Sequence, residues 1–523
     1  MKLSKSEKKR LRREQHLEKL QSKTAATKDP TKTTLKSLFD LKRFLVSNIP
    51  FILLLVLISA AAFSYSLSGD FVTADDVPGY VENPQVRDLP GSLKSGVIQK
   101  IVFALNYALF KNNPIPLHIY SLTIHLLNVI FVFVISYMMF GKKISAISTL
   151  LFSIHPTVVE SVAWISGMNY LHQTVFLNSM MLMYLLYKTS RNVKYLYLSI
   201  LFFILPIFVL QPTLIMTFPL IIIVMDQVVL KRNIDLRSLK EYILFILSGT
   251  AFFFYYLKSA TEGRVSSLQS EYGLDPTQVT PWLNRLPYTF YKTILLLIFP
   301  KNLSIFHEGE AISLGLYYGM VVLSSLLLLT IIILYPKHRI ISGLLIMVIV
   351  SILPTMSPVQ LTSFMAERYL YIGTAFFCMI LALIIQGIQK RSGGPKVATA
   401  IVVVILTLYF IRTVDRTVDW HSSKNLWLAT SGVAKNSARV YNNLGDAYAS
   451  EKEFENSINA FKKAIELKPG YTDAMHNLAL TYLQTGQYDP AKEYFNMALE
   501  TDPNYIGAPK ANEILTLMQQ KNL

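Results

Sequence analysis

Two adjacent carboxylates, Asp75 and Asp76, follow the first long apolar run of the chain in the stretch SYSLSGDFVTADD. Other ionisable side chains stand near the ends of later apolar runs: His118 and His125, His155 and Glu160 in SIHPTVVESVAWISG, His172, and Glu367–Arg368 in FMAERYLYIG. Ionisable groups at membrane depth are costly, so they tend to be paired or to serve function. Each also has an ordinary reading. Neighbouring acids in a loop are commonly only solvated. His118 and His125, seven apart on one helical face, suit packed and hydrogen-bonded histidines equally well. Glu367 and Arg368 suit salt bridges between helices. His155 and Glu160 lack the spacing of a helical metal site, and no Cys or further His supports one. No transition metal is expected, although the acids could take a divalent cation.

The elements that must position these residues are membrane helices. The chain has 523 residues, 52% of them hydrophobic and only 16% charged, which is too apolar for an ordinary soluble protein. Runs such as FILLLVLISAAAF and VATAIVVVILTLYFI, with their flanks, are long enough to cross a hydrocarbon core of about 30 Å. The lone cysteine, Cys378, lies inside such a run, so no disulfide framework is available. The formal charge of +17 is spread over the N-terminal tail and short loops (GKK, KTSRNVK, KRNIDLRSLK, PKHR, KRSGGPK). Basic loops mark the cytoplasmic side and anionic lipid, so nucleic acid is not an expected partner.

Residues 1–43 read as a basic cytoplasmic tail leading into an uncleaved signal anchor, and 44–414 as the membrane domain. Spans are expected near 44–66, 115–140, 143–157, 170–188, 194–211, 212–230, 240–258, 315–335, 338–355, 370–389 and 396–413. That makes about eleven crossings, with the N-terminus inside and the C-terminus outside. The stretch YTFYKTILLLIFP (288–300) breaks the alternation and reads as re-entrant. In the first outer loop, 67–114, apolar residues at 93, 97, 98, 101, 102, 105 and 109 predict an amphipathic helix on the membrane surface.

Beyond Trp420 a repeat appears. Leu444 and Leu478, Tyr448 and Tyr482, Phe461 and Phe495, Ala464 and Ala498, and Pro469 and Pro503 are each 34 residues apart. This is the tetratricopeptide period, a helix pair per unit, with repeats expected at 438–471 and 472–505. Flanking helices in 415–523 would cap so short a stack. The predicted fold is all-α: a polytopic membrane domain followed by a helical solenoid.

Most of the ionisable groups map to the outer face. A carboxylate pair facing cations there suits one reaction well. An acceptor hydroxyl meets a sugar carried on a membrane lipid phosphate, an Asp takes its proton, and cations stabilise the departing phosphate. A single displacement would invert the anomeric centre.

Several stretches in order carry a resemblance: the Asp-Asp pair, LFSIHPTVVESVAWISG, QPTLIMTFPLIIIVMD, FPKNLSIFHE, MAERYLY and DWHSSKNLW…VYNNLGDAY. Together they resemble the transmembrane-and-tetratricopeptide O-mannosyltransferase-like family in its prokaryotic-type form, within the GT-C glycosyltransferase fold. The resemblance implies a polyprenyl-phosphate sugar donor, usually mannose, and a protein hydroxyl acceptor. It puts Asp75 or Asp76 in the place of the catalytic acid, with Glu367, Arg368, His155, Glu160, His118 and His125 as donor-phosphate or substrate contacts. The chain departs from that pattern at Gly96–Val97, Met168, Tyr170 and Gln211, where relatives carry basic or polar residues. Phosphate binding would then move to Arg368, Arg264, Arg285 or Lys301, or the chain would act on another donor or none. The rival readings are a non-enzymatic membrane anchor that presents a repeat scaffold, and a transferase acting on lipid or polysaccharide.

Overall fold

The structure, a computed structural model, describes residues 39–210, 217–231, 236, 239–250, 254, 282–307, 313–356, 365–391 and 393–521. Among them every regular element is helical. Five described helices are long and apolar enough to cross a membrane: Ile49–Ser68, Ile115–Phe140, Leu314–Leu334, Glu367–Gln389 and Gly394–Asp419. Lys142–Ser153 and Pro156–Ala163, bent by 54°, make a sixth if they count as one broken span. The break has a local cause. Pro156 has no N–H to give, and the His155 ring caps the new turn by accepting from the Thr157 amide at 3.3 Å.

The expectation of about eleven crossings is thus not met by five or six. Val193–Val209, Leu286–Ile298 and Arg339–Ile352 are apolar but no more than 17 residues long. At 1.5 Å per residue that gives about 26 Å, short of a hydrocarbon core of about 30 Å. Met168–Ser190 is long enough at 23 residues but carries His172, Gln173, Asn178 and Lys188. The expected spans 212–230 and 240–258 fall partly outside the described residues.

Met168–Ser190 is the central helix of the membrane part. Met168, Leu171, Leu177, Met180, Met181 and Tyr184 on it are all buried, and it packs between Ile115–Phe140 and Val193–Val209. Its polar residues face partners rather than lipid. Asn178 donates to the Asn128 side-chain carbonyl at 3.1 Å, and Asn128 donates to the Leu171 carbonyl at 3.0 Å. Leaving such buried amides unpaired would cost about 1–3 kcal/mol each.

The amphipathic helix predicted over 93–110 forms as two pieces, Leu89–Ser95 and Ile98–Phe110. Gly96 separates them in the left-handed region, at φ +68°, where only glycine sits without strain. The second piece exposes Leu105, Leu109 and Phe110 and buries Phe103 and Asn106. Asn106 donates to the Tyr80 hydroxyl at 2.6 Å, which holds the outer segment together.

The C-terminal helices are Ser423–Val433, Ala438–Ser450, Phe454–Leu467, Thr472–Gln484, Tyr488–Thr501 and Ala508–Gln520. The period-34 alanines Ala464 and Ala498 are fully buried where helices meet. Gly445 allows the closest approach: a Cβ there would lie 2.6 Å from the Phe461 ring. Trp420, Leu426, Trp427, Val440 and Leu444 belong to the same continuous core as the membrane helices. The repeats are docked on the membrane part.

Candidate active site

A cleft of about 1330 Å³ lies between the outer segment, the ends of the membrane helices and the repeats. Asp75 lines it; Asp76 does not. The two acids diverge because the backbone turns here: the Asp76 and Val77 amides both donate to the Val72 carbonyl. Asp76 points inward and is 1% exposed. Its Oδ1 accepts from the Ser166 amide at 2.9 Å and the Ser166 hydroxyl at 2.6 Å, and its Oδ2 from the Val72 amide at 3.3 Å. Burial raises its pKa to about 7, against the lowering pull of the Ser166 bonds. Asp75 is exposed on the cleft wall.

Arg368 reaches the same cleft from the start of the Glu367–Gln389 span. Its guanidinium pairs with Glu160 and lies 5.2 Å from the Trp164 ring centroid and 4.9 Å from that of Tyr369. Its backbone amide donates to the other Glu160 oxygen at 3.0 Å. Glu160 therefore fixes Arg368, through side chain and main chain together. Glu367 turns the other way, into a buried pair with Arg416 at 3.0 Å, and Arg416 also holds Asp419 at 2.8 Å. Of the expected contacts, Glu160, Glu367 and Arg368 form interhelical ion pairs, and only Arg368 reaches the cleft wall.

The histidines lie elsewhere. His118 bonds the Gly69 carbonyl at 3.1 Å. His125 bonds the Tyr371 hydroxyl at 2.7 Å and the Ser153 carbonyl at 3.1 Å. His155 bonds the Leu297 carbonyl at 3.2 Å. None of the three lines the cleft, so the structure sets them as packed, hydrogen-bonded side chains rather than beside Asp75.

Sequence reasoning missed four participants. Ser166 sits in the quoted WISG stretch, where attention fell on Met168, a fully buried core residue. Lys100 and Asn169 line the cleft, and Lys100 adds a cation one turn beyond Gly96. Arg416 was signalled by the spacing in RTVDRTVD, which repeats Arg-x-x-Asp at the end of an apolar run. Gln211 and Arg264 lie outside the described residues, as does the Arg285 side chain. Among the described residues no three His, Cys, Asp or Glu side chains gather in a cluster suited to a metal ion.

The far wall of the cleft belongs to the repeats. Arg439, Asn443, Asp473, His476, Asn477 and Tyr505 line it. Asn443 and Asn477 occupy the same position in successive repeats, 34 residues apart. The Asn477 side-chain amide also donates to the side-chain oxygen Oδ1 of Asn442 at 3.2 Å. The cleft is thus continuous from Asp75 to the inner face of the solenoid.

Fold and site define a helical membrane protein with a docked repeat array, and residues 432–504 match the tetratricopeptide-repeat family model. The chain is similar to the human Protein O-mannosyl-transferase TMTC3, 30% identical over 145 residues, which is 28% of this chain and 16% of that protein. It is similar over more of its length to the Caenorhabditis elegans Protein O-mannosyl-transferase F38B6.6, 25% identical over 80% of this chain and 63% of that one. A third match, 33% identical over 16% of the chain, is the Peroxisomal targeting signal receptor of Candida glabrata. The chain thus aligns with less than two thirds of each of these relatives. All three are eukaryotic, so the prokaryotic-type expectation finds no support in them.

Proposed function

We propose that the chain is a membrane glycosyltransferase that moves a sugar, mannose, from a polyprenyl-phosphate donor to a Ser or Thr hydroxyl of a protein. Asp75 is the general base. It takes the hydroxyl proton as the acceptor oxygen bonds to the anomeric carbon, while the bond from that carbon to the phosphate oxygen breaks. Polyprenyl phosphate leaves, and the configuration inverts. Lys100 and Arg368 supply positive charge where the departing phosphate develops negative charge. Asp76 stays buried and positions Asp75 through the shared turn. The N-terminal tail is cytoplasmic, and cleft and repeats face the other side.

The observation that carries this reading is the single cleft shared by Asp75, Lys100, Arg368 and the solenoid face. A reaction that joins a lipid-borne donor to a polypeptide needs that continuity; a bare scaffold does not. The names of the O-mannosyl-transferase relatives support the same class. The test is transfer in proteoliposomes from several polyprenyl-phosphate sugars to peptide and protein acceptors, read by intact mass. Asp75→Asn should lower turnover by about 10²–10⁴ with donor binding retained. Transfer at the parent rate by that variant would sink the assignment and favour the scaffold.

A further inference from the structure

The segment that leads to Asp75 is held by the C-terminal part of the chain, more than three hundred residues away. Five contacts stitch residues 65–73 to residues 421–427, one of them between the Ser68 hydroxyl and the His421 ring at 3.4 Å. The Tyr65 ring centroid lies 4.7 Å from that of His421. The Asp70 amide donates to the His421 carbonyl at 2.9 Å. The Thr73 amide donates to the Ser423 hydroxyl at 2.9 Å, and the Trp427 indole N–H donates to the Thr73 hydroxyl at 2.9 Å.

Ser423 and Trp427 are four apart on the helix Ser423–Val433, so one helical face grips both the amide and the hydroxyl of one residue. That residue stands two places before Asp75. Trp427 is itself fixed: it is fully buried, and its ring packs 5.6 Å from Phe306, over which Arg439 of the first repeat helix lies at 3.6 Å. The Asp75 segment has a polar anchor on each side, Thr73 before it and the Asp76–Ser166 bonds after it.

We propose that Trp427 is a positioning residue for Asp75: through Thr73 it sets where the carboxylate stands in the cleft. The claim rests on the transferase reading for its kinetic consequence, though not for its structural one. A general base must stand within about 3 Å of the proton that it takes, so a slackened anchor lowers turnover while leaving donor affinity alone. Helix Ser423–Val433 then belongs to the catalytic half of the molecule rather than to a detachable repeat domain.

The sharpest variant is Thr73→Val. Thr73 does not line the cleft, so losing its hydroxyl removes no wall contact. Trp427→Phe removes the N–H from the other side and keeps a ring. Both should lower kcat by about three- to tenfold with donor KM unchanged, the effect of one neutral hydrogen bond. Combined, they should cost no more than either alone, because each removes the same bond. Thr73→Ser, which keeps the oxygen, should recover most of what Thr73→Val loses. Amide hydrogen exchange across residues 69–77 is measured on the same full-length proteins without substrate, and should quicken in Thr73→Val and Trp427→Phe alone. Unchanged exchange there would overturn the positioning claim even if the chain transfers no sugar. Fully additive losses, or a loss confined to KM, would overturn it as well. Faster exchange in a protein that shows no transfer would keep the anchor and remove the transferase reading instead.

Discussion

The Asp76 carboxylate accepts from both the amide and the hydroxyl of Ser166, ninety residues away, at 2.9 and 2.6 Å. Those bonds pull its pKa down while burial pushes it up to about 7. Ser166→Ala keeps the amide bond and drops the hydroxyl, so Asp76 should take its proton at a higher pH. The acid limb of the transfer–pH profile should move up with it, and Asp76→Asn should cost less turnover than Asp75→Asn. An acid limb that stays in place would show that Asp76 ionisation plays no part in positioning its neighbour.

Asp446, on the first repeat helix, is likewise raised to about 7, by burial first and by Asp473 second. Its ordinary value is 3.8, so the folded state binds the proton more tightly than the unfolded one. Its contribution favours folding as pH falls from about 7 toward about 4, and is lost as pH rises through that window. Asp446→Asn should flatten the pH dependence of repeat unfolding between those limits and stabilise the repeats above pH 7. Thermal unfolding followed by circular dichroism checks it; parallel profiles for parent and variant would refute it.

Arg416 and Glu367 are both fully buried and pair with each other, and Arg416 also holds Asp419. Arg416→Met strands a carboxylate in the core, which costs about 3–5 kcal/mol. Monodisperse protein on size exclusion should fall sharply. Pairing it with Glu367→Leu should recover much of the yield, since an apolar pair removes the stranded charge. A double variant no better than the single one would mean that Glu367 is needed for itself.

At Gly445 the space for a side chain is already taken by Phe461. Gly445→Leu should destabilise the repeats by about 1–3 kcal/mol through overpacking. Limited proteolysis should then cut within residues 438–521 before the membrane part. Equal resistance would show that the helix pair opens without cost.

What was legible in the chain followed from local rules. The 34-residue period placed the repeats because each helix pair repeats its own packing residues, such as Phe461 and Phe495. Asp75 and Asp76 stood out together as a pair just beyond an apolar run, and which of them faces the cleft depends on a backbone turn that the pair itself does not signal. That Glu367 and Arg368 suit salt bridges between helices was legible, but their partners were beyond reach for a different reason. Glu160 meets Arg368 across 208 residues and Glu367 meets Arg416 across 49, and neither spacing carries a local signal. The eleven expected spans are not matched among the described residues, where hydropathy alone does not tell lipid from protein as the apolar surrounding. Arg339–Ile352 reads as a crossing, yet Leu344, Met347 and Val348 on it face the interior.

The helix Leu314–Leu334 has only 11% of its apolar window buried, and Gly394–Asp419 only 17%. Among the described residues little packs against these two, as suits helices that meet acyl chains, while Gly394–Asp419 runs on into a solenoid built for water. The molecule therefore answers to two solvents at once. A medium gentle to one half can be harsh to the other, so a detergent series and a urea series should rank the same variants differently. No single free energy of unfolding describes such a chain.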